Sequence, residues 1–493
     1  MTFEMRYRHA DRAVRTVVAV GTVAVLAALV VTPAAAQRSV WIVDDLVRGV
    51  HQPMIFDTRT RAPALSAGPA LVAPQPVAGN LPYVVLGCRF SDKLAHTPVE
   101  RANEFIGNSY PGMDHFWRET SYNALTLSGS SFAGWFNLPK PEADYSPGGN
   151  VQPLLLAGDC MNAADAAVNF LGYSGVILLV NGAVLVNGQA AALATQEPLA
   201  IPVDGQTRDY RAVLLSEAAI TVQYFWAHEM GHSLGMIHTA APGNTYLLSS
   251  GWDLMSSGGY QDAQLGTRVG GHVSNLHKYI MGWIPGSRVQ TVPSGSAVTF
   301  ELERAAEPGP GGRLIGVLPL GGSAGEFYSI ESKRQAGYDR VAAGALPAEG
   351  VIIHRVSPNI DPIARLINDD GGTSTTSPGT YLQPGEQWQD VARNITVRNL
   401  SATSTGYSVR VCYNAGGTLI GDVNQDGAVN IVDAQLTARY AVGLTVTNPG
   451  GVQAAGDVNL DAAVNITDAQ LIARFAVGLP TPGSSAGQGG SGC

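Results

Sequence analysis

Three histidines within the run AHEMGHSLGMIHT (residues 227–239) constrain this chain more than any other feature. His228 and His232 stand at i and i+4, so a helix projects both imidazoles from one face toward a common point. Upstream, Ala219, Val222 and Trp226 repeat at helical spacing and would bury the opposite stripe, which predicts a helix over residues 216–234. Gly235 can take the left-handed conformation that ends a helix and turns the chain back. That turn lets His238 supply a third nitrogen and leaves a fourth coordination position for water. Catalytic zinc has this arrangement, whereas structural zinc closes its shell with a fourth Cys or His, and no such residue adjoins the run. Glu229 sits beside the first histidine, near enough to reach a water at the metal as a general base. The competing reading is a buried amphipathic helix whose histidines are satisfied by hydrogen bonds.

The remainder of the chain sets the context. Its 493 residues allow several domains at roughly 100–200 residues each. Only 14% are charged, against about 25% in an ordinary soluble domain, and Gly 58 with Pro 29 implies many turns and linkers. Residues 1–36 read as a secretory signal, with Arg6, Arg8, Arg12 and Arg15 before an apolar run at 17–31 and a small-residue site at Ala34–Ala36. Fifteen apolar residues are short of the ~20 that span a bilayer, which argues against a retained anchor and against stable membrane insertion. Removing four arginines, one glutamate and one aspartate with that segment takes the formal charge from −9 to −11, so nucleic acid is not an expected partner. The cysteines Cys88, Cys160, Cys412 and Cys493 all lie in the exported part, where up to two disulfides are expected; Cys88 with Cys160 is the favoured pair because both fall in one domain.

Pro/Ala-rich residues 37–80 read as a propeptide or linker, without a cysteine that could block a metal. A compact domain is expected over 81–288. Its apolar runs at 83–90 and 176–180 have buried-strand character, and an Ala-rich helix is expected over 159–171. A β-rich domain over 289–415 follows, with strands near 298–302, 327–331 and 351–356. His272, His277 and His354 are isolated histidines and receive no role.

Seventeen residues beyond His238, Met255 lies in SGWDLMSSG (250–258). Together with HExxHxxGxxH, a methionine turn beneath the ligands marks the metzincin class. The chain resembles secreted metalloproteases of the immune inhibitor A type within that clan, through VVLGCRFSDK (84–93), FWRETSYNALTLSG (116–129), GWFNLPKP (134–141), KYIMGWI (278–284) and FYSIESKRQAGYD (327–339). His238 completes a triad that several such proteases lack, placing this chain nearer the gametolysin-like or general metzincin pattern. The resemblance covers about residues 81–356. It implies an α/β (α+β) zinc protease domain, His228, His232 and His238 as zinc ligands, Glu229 as the catalytic carboxylate, Met255 as an apolar floor, and a protein or peptide substrate.

A second feature lies at the C-terminus. GDVNQDGAVNIVDAQLTARYAVGL (421–444) recurs at 456–479 with an offset of 35 residues, meaning two copies of one supersecondary unit. Asp422, Asn424, Asp426, Asn430 and Asp433 fall at positions 1, 3, 5, 9 and 12 of a calcium loop, as do Asp457, Asn459, Asp461, Asn465 and Asp468. Each loop leads into a helical pattern. Residues 419–480 are similar to type I dockerin modules, which implies Ca2+ and a cohesin-like scaffold partner. Ala462 replaces the turn glycine of the second loop, and Ile431-Val432 and Ile466-Thr467 occupy recognition positions that are often small and polar, so the partner's identity does not follow. A Gly/Ser tail fills 481–493.

The expectation is a multidomain, exported zinc endopeptidase carrying a small α-helical calcium-loop docking module. Two alternatives stand beside it: a non-catalytic surface or scaffold-attached binding protein that retains the metal site, and a chain whose main role is attachment.

Overall fold

The computed structural model describes residues 38–45, 51–57, 64–65, 77–95, 100–242, 250–320, 325–339, 346–357, 362–372, 374, 376–414 and 419–487. The expected signal segment, Cys493 and the end of the tail lie outside them. No described helix is long and apolar enough to cross a membrane.

A ten-stranded mixed sheet organises the first region. Its path runs Ala64–Leu65, His51–Asp57, Arg38–Asp45, Gln189–Thr195, Gln206–Leu215, Gly175–Val180, Tyr83–Arg89 and Ser131–Asn137. The last four run parallel and the others pair antiparallel. Strands with helices on both faces must be apolar throughout. Val85, Ile177 and Leu179 accordingly enter one core, while Val84, Leu86, Val176 and Leu178 enter the other. The second core receives the Pro153–Ala164 helix, to which Cys88 is joined by a disulfide at Cys160. That helix begins six residues before its expected start, because proline suits a first helical turn, and ends at Ala164.

Within the segment expected as a propeptide or linker, Arg38–Asp45, His51–Asp57 and Ala64–Leu65 are strands of this sheet. Arg38–Asp45 pairs with Gln189–Thr195 in the register Trp41 to Thr195 through Asp45 to Ala191, and His51–Asp57 returns alongside. Short strands extend a sheet wherever an edge offers free backbone groups, and no local pattern announces this. Chain before Leu81 also packs here, Val77 entering the first core and its carbonyl accepting from Trp283 Nε1 at 2.6 Å. Apart from Arg38–Asp45, Gln189–Thr195 pairs with Leu185–Val186 at its start and, further on, only through Leu193–Leu214 and Ala194–Val213. Deleting residues 38–65 should therefore move amide exchange within Ala192–Thr195 from the protection of the sheet to that of a fraying edge. Hydrogen exchange read by mass spectrometry tests this, and unchanged protection would show that the pairing contributes nothing.

The β-rich region is observed as two packed sheets. Four antiparallel strands (Ser296–Glu303, Gly406–Tyr413, Ile395–Ala402, Gln387–Asp390) share a core with a six-stranded sheet, which includes Phe300, Leu318, Ile330, Ile353, Val397 and Val409. The expected strands fall within Ser296–Glu303, Phe327–Lys333 and Gly350–Val356. The six-stranded sheet does not respect a boundary at 288. Its first strand is Thr239–Ala240, directly after His238, running parallel to Ala364–Leu366.

At the C-terminus, helices Ile431–Ala441 and Ile466–Ala476 pack through Ala434, Val458 and Ile472. The unforeseen connecting helix Pro449–Ala455 buries Val452 against Val423. The chain is thus multidomain, rich in mixed sheet, with few helices outside its C-terminal module.

Candidate metal centre

The histidine helix is Gln223–Ser233, shorter than expected. Residues 217–219 form a 3-10 turn and Val222 is extended. Long-range contacts hold this entry: Thr267 Oγ1 donates to the Thr221 carbonyl at 2.7 Å, and the Gln223 side chain bonds both Gly270 N–H and the Pro111 carbonyl. Trp226, Ala227 and Met230 enter the core formed with Ala192, Ala194 and Val213. Gly235 has φ +102° and reverses the chain, so His238 returns toward the helix.

The three imidazoles converge. Ring centroids are 4.8 Å apart for His228 and His232, 4.4 Å for His232 and His238, and 5.6 Å for His228 and His238. One nitrogen from each lies within 4.8 Å of the others, and among the described residues no further Cys, His, Asp or Glu joins them. Nδ1 of His228 is 2.7 Å from the Leu254 carbonyl, and Nδ1 of His232 is 2.9 Å from the Met236 carbonyl. A carbonyl only accepts, so in each ring Nδ1 carries the proton and Nε2 a lone pair. Those Nε2 atoms face each other at 3.1 Å. A cation held between them would take a lone pair from each. A tetrahedral ion at Zn–N distances near 2.0–2.1 Å sets its nitrogens about 3.3 Å apart, so the donor set fits zinc. Orientation of two of the three rings by a carbonyl is the usual support for a metal histidine.

Glu229 is fully buried, one residue after His228. Met255 packs its sulfur against Gly231 so closely that an added Cβ would come within 2.5 Å of it. Gly231 is therefore part of the site, although its place in the histidine run gave no sign of it. Tyr224 adds a second link between helix and turn, its hydroxyl donating to the Ser256 carbonyl at 2.8 Å.

Behind the turn lies a buried charge network that contains all three isolated histidines. His272 meets Glu119 at 2.8 Å and Lys278 Nζ at 2.9 Å; His277 faces Asp253 at 3.4 Å, and His354 faces Glu331 at 3.5 Å. Lys333 lies between Glu331 and Asp339, at 3.9 and 3.8 Å. Burial opposes ionisation of Glu119, yet the hydrogen bond and charge of His272 hold its carboxyl down to about 2. Burial, aided by the Lys333 charge, pushes the Lys278 ammonium down to about 7. Burial also opposes ionisation of Asp253, but His277, Lys333 and the Thr239 hydroxyl hold it well below the usual carboxylate range.

The two C-terminal loops are near-superimposable in their bonding. Asp422 accepts Asp426 and Gly427 N–H, and Asp433 accepts Val423, Asn424 and Asn430 N–H. Asp457 and Asp468 repeat this with Asp461, Ala462, Val458, Asn459 and Asn465. Asn424 and Asn459 donate to Asp426 and Asp461, while Asn430 and Asn465 cap the helices that follow. The aspartates of each loop share this backbone cradle, though their oxygens do not all gather within 4.8 Å of one another. Burial, with Asp433 and Asp426 nearby, raises the Asp422 carboxyl. Carboxylates drawn together without a counter-charge are what a divalent cation stabilises.

No curated protein matches the chain. Residues 420–477 match the family model of the Dockerin type I domain. The duplicated loop-helix segment at the C-terminus is a type I dockerin module, and with it the chain carries a calcium-dependent docking device.

Proposed function

We propose that the chain is an exported zinc endopeptidase of metzincin type, tethered through its dockerin module to a cohesin-type scaffold protein. The observation that carries the enzymatic half is the convergence of three buried imidazoles, two of them with Nδ1 committed to carbonyls, beside a buried glutamate. His228, His232 and His238 would hold the ion. Bound there, zinc would supply a Lewis acid and bring the pKa of water from 15.7 toward ~7. Glu229 would take a proton from the attacking water and return it to the departing amine nitrogen. Met255, set against Gly231, would keep the ligand helix from shifting. If residues 37–80 serve as a removable propeptide, they would act sterically, with Arg38–Asp45 covering the Gln189–Thr195 edge, since they contain no cysteine to offer a metal.

The dockerin half rests on residues that recur with the repeat. Ile431, Val442 and Leu444 are exposed, as are Ile466, Val477 and Leu479 at the equivalent positions. Apolar side chains left in water at matching places on both copies suit docking onto a protein face. Metal analysis of the purified chain, with casein digestion before and after treatment with a zinc chelator, tests the enzymatic half. Stoichiometric zinc and chelator-sensitive cleavage are expected. A zinc-loaded chain that digests nothing would favour the binding-protein alternative.

A further inference from the structure

His238 is the one ligand outside the histidine helix, so helical geometry does not fix its ring. Its main chain is gripped from two sides instead. On one side Ile363 donates its N–H to the His238 carbonyl at 2.8 Å, and the pairing of Thr239 with Ala364 and Ala240 with Arg365 continues the contact. On the other side stands Asp253. Its Oδ2 accepts from Thr239 Oγ1 at 2.8 Å, and its Oδ1 accepts Met255 N–H at 3.1 Å and Ser274 N–H at 3.0 Å. Thr239 N–H also reaches the Met255 carbonyl at 3.1 Å. Thr239 and Asp253 are both completely buried.

A buried carboxylate is costly unless its lone pairs are filled. Here they are filled by three segments that must keep a fixed spacing: the strand leaving His238, the turn holding Met255, and the cap of the Asn275–Ile280 helix. From this geometry we propose that Asp253 is a positioning residue for the third ligand, acting through the Thr239 hydroxyl to set the approach of the His238 ring to the metal, with Ile363 of the β-rich region as the opposing anchor. The proposal rests on the reading of the triad as a metal centre, but it concerns metal retention and not turnover. It also gives the β-rich region a role in the site, because the sheet that begins at Thr239 continues through Ala364–Leu366.

The test uses the full-length chain, stripped of metal and titrated with zinc against a chromophoric chelator, with the melting temperature of the metal-free form measured in parallel. Thr239→Val keeps the shape and removes only the hydroxyl. Supporting partners of this kind alter metal affinity by roughly 10–100-fold, and a weakening in that range is expected for Thr239→Val and for Asp253→Asn. Thr239→Ser, which keeps the hydroxyl and loses a methyl group, should return affinity to near the wild-type value. Cobalt-loaded Thr239→Val should show a shifted visible spectrum, a signature that loss of global stability alone does not produce. Should Asp253→Asn fail to fold, the Thr239 pair decides. Wild-type affinity in Thr239→Val, or equal weakness in Thr239→Val and Thr239→Ser, overturns the proposal while leaving the metal centre standing. A wild-type chain that binds no zinc overturns both.

Discussion

Glu229→Gln is expected to bind zinc as the wild-type chain does and to lose casein cleavage by about 10²–10⁴-fold, the usual contribution of a general acid–base. The substitution changes almost nothing else. Gln has the same length and volume, so a residue with no exposed surface can be replaced without a cavity or a clash. What disappears is an oxygen that can accept a proton and later release it. His238→Ala should behave differently, weakening zinc retention and cleavage together, because it removes a donor and not a proton carrier. Zinc per chain by atomic emission and initial rates on casein distinguish the two patterns. Wild-type cleavage by Glu229→Gln would remove Glu229 from the mechanism. Loss of zinc in that variant would make it a ligand or a support instead.

The parts of this site legible in the sequence are those fixed by local geometry. The i, i+4 spacing of His228 and His232, the left-handed Gly235 and the return of His238 all follow from helix dimensions and glycine's freedom at positive φ. Strands such as Gly175–Val180 were legible because burial on both faces requires an unbroken apolar run. The duplicated loops were legible because one ion-binding cradle dictates an oxygen at alternate residues. The parts that depend on distant partners were hidden. The helix begins at Gln223 instead of residue 216 because Thr267 and Gly270, more than forty residues downstream, hold its entry. Nothing about Asp253 in isolation marks it as the junction of three segments, since the partners that give it meaning come from Thr239, Ser274 and His277. Thr239–Ala240 is a two-residue strand, too short to carry a periodicity, yet it joins His238 to a sheet whose other strands begin at Val289. The same holds for Arg38–Asp45, which is recognisable as a strand only once Gln189–Thr195 is in place beside it.

Calcium removal should have an effect of comparable size on the other half of the molecule. Among the described residues the dockerin module buries two small clusters, one around Ala434, Val458 and Ile472 and the other around Val423 and Val452. Six aspartates against two arginines give residues 419–480 a charge of −4. Neither term favours a compact state alone: a core this small contributes little, and the aspartates of each loop repel one another at the point where the chain must turn. Two calcium ions would cancel that charge, so binding and folding become one equilibrium. Chelation of calcium should therefore abolish the helical circular dichroism contributed by this segment and its capture by a cohesin-type receptor, with both restored on adding calcium back. The two loops should not respond equally. Gly427 holds φ +91° without penalty, whereas Ala462 is forced to φ +68° at the equivalent turn. Left-handed backbone at a residue with a Cβ costs about 1 kcal/mol, a factor of roughly five in a binding constant. Ala462→Gly should tighten the weaker of two calorimetric calcium sites by about that factor and leave the stronger one unchanged. Helical signal that persists through chelation, or calcium sites indifferent to Ala462→Gly, would mean that backbone hydrogen bonds to Asp433 and Asp468 already suffice to hold the cradles closed, and that the ion is a passenger in a module folded without it.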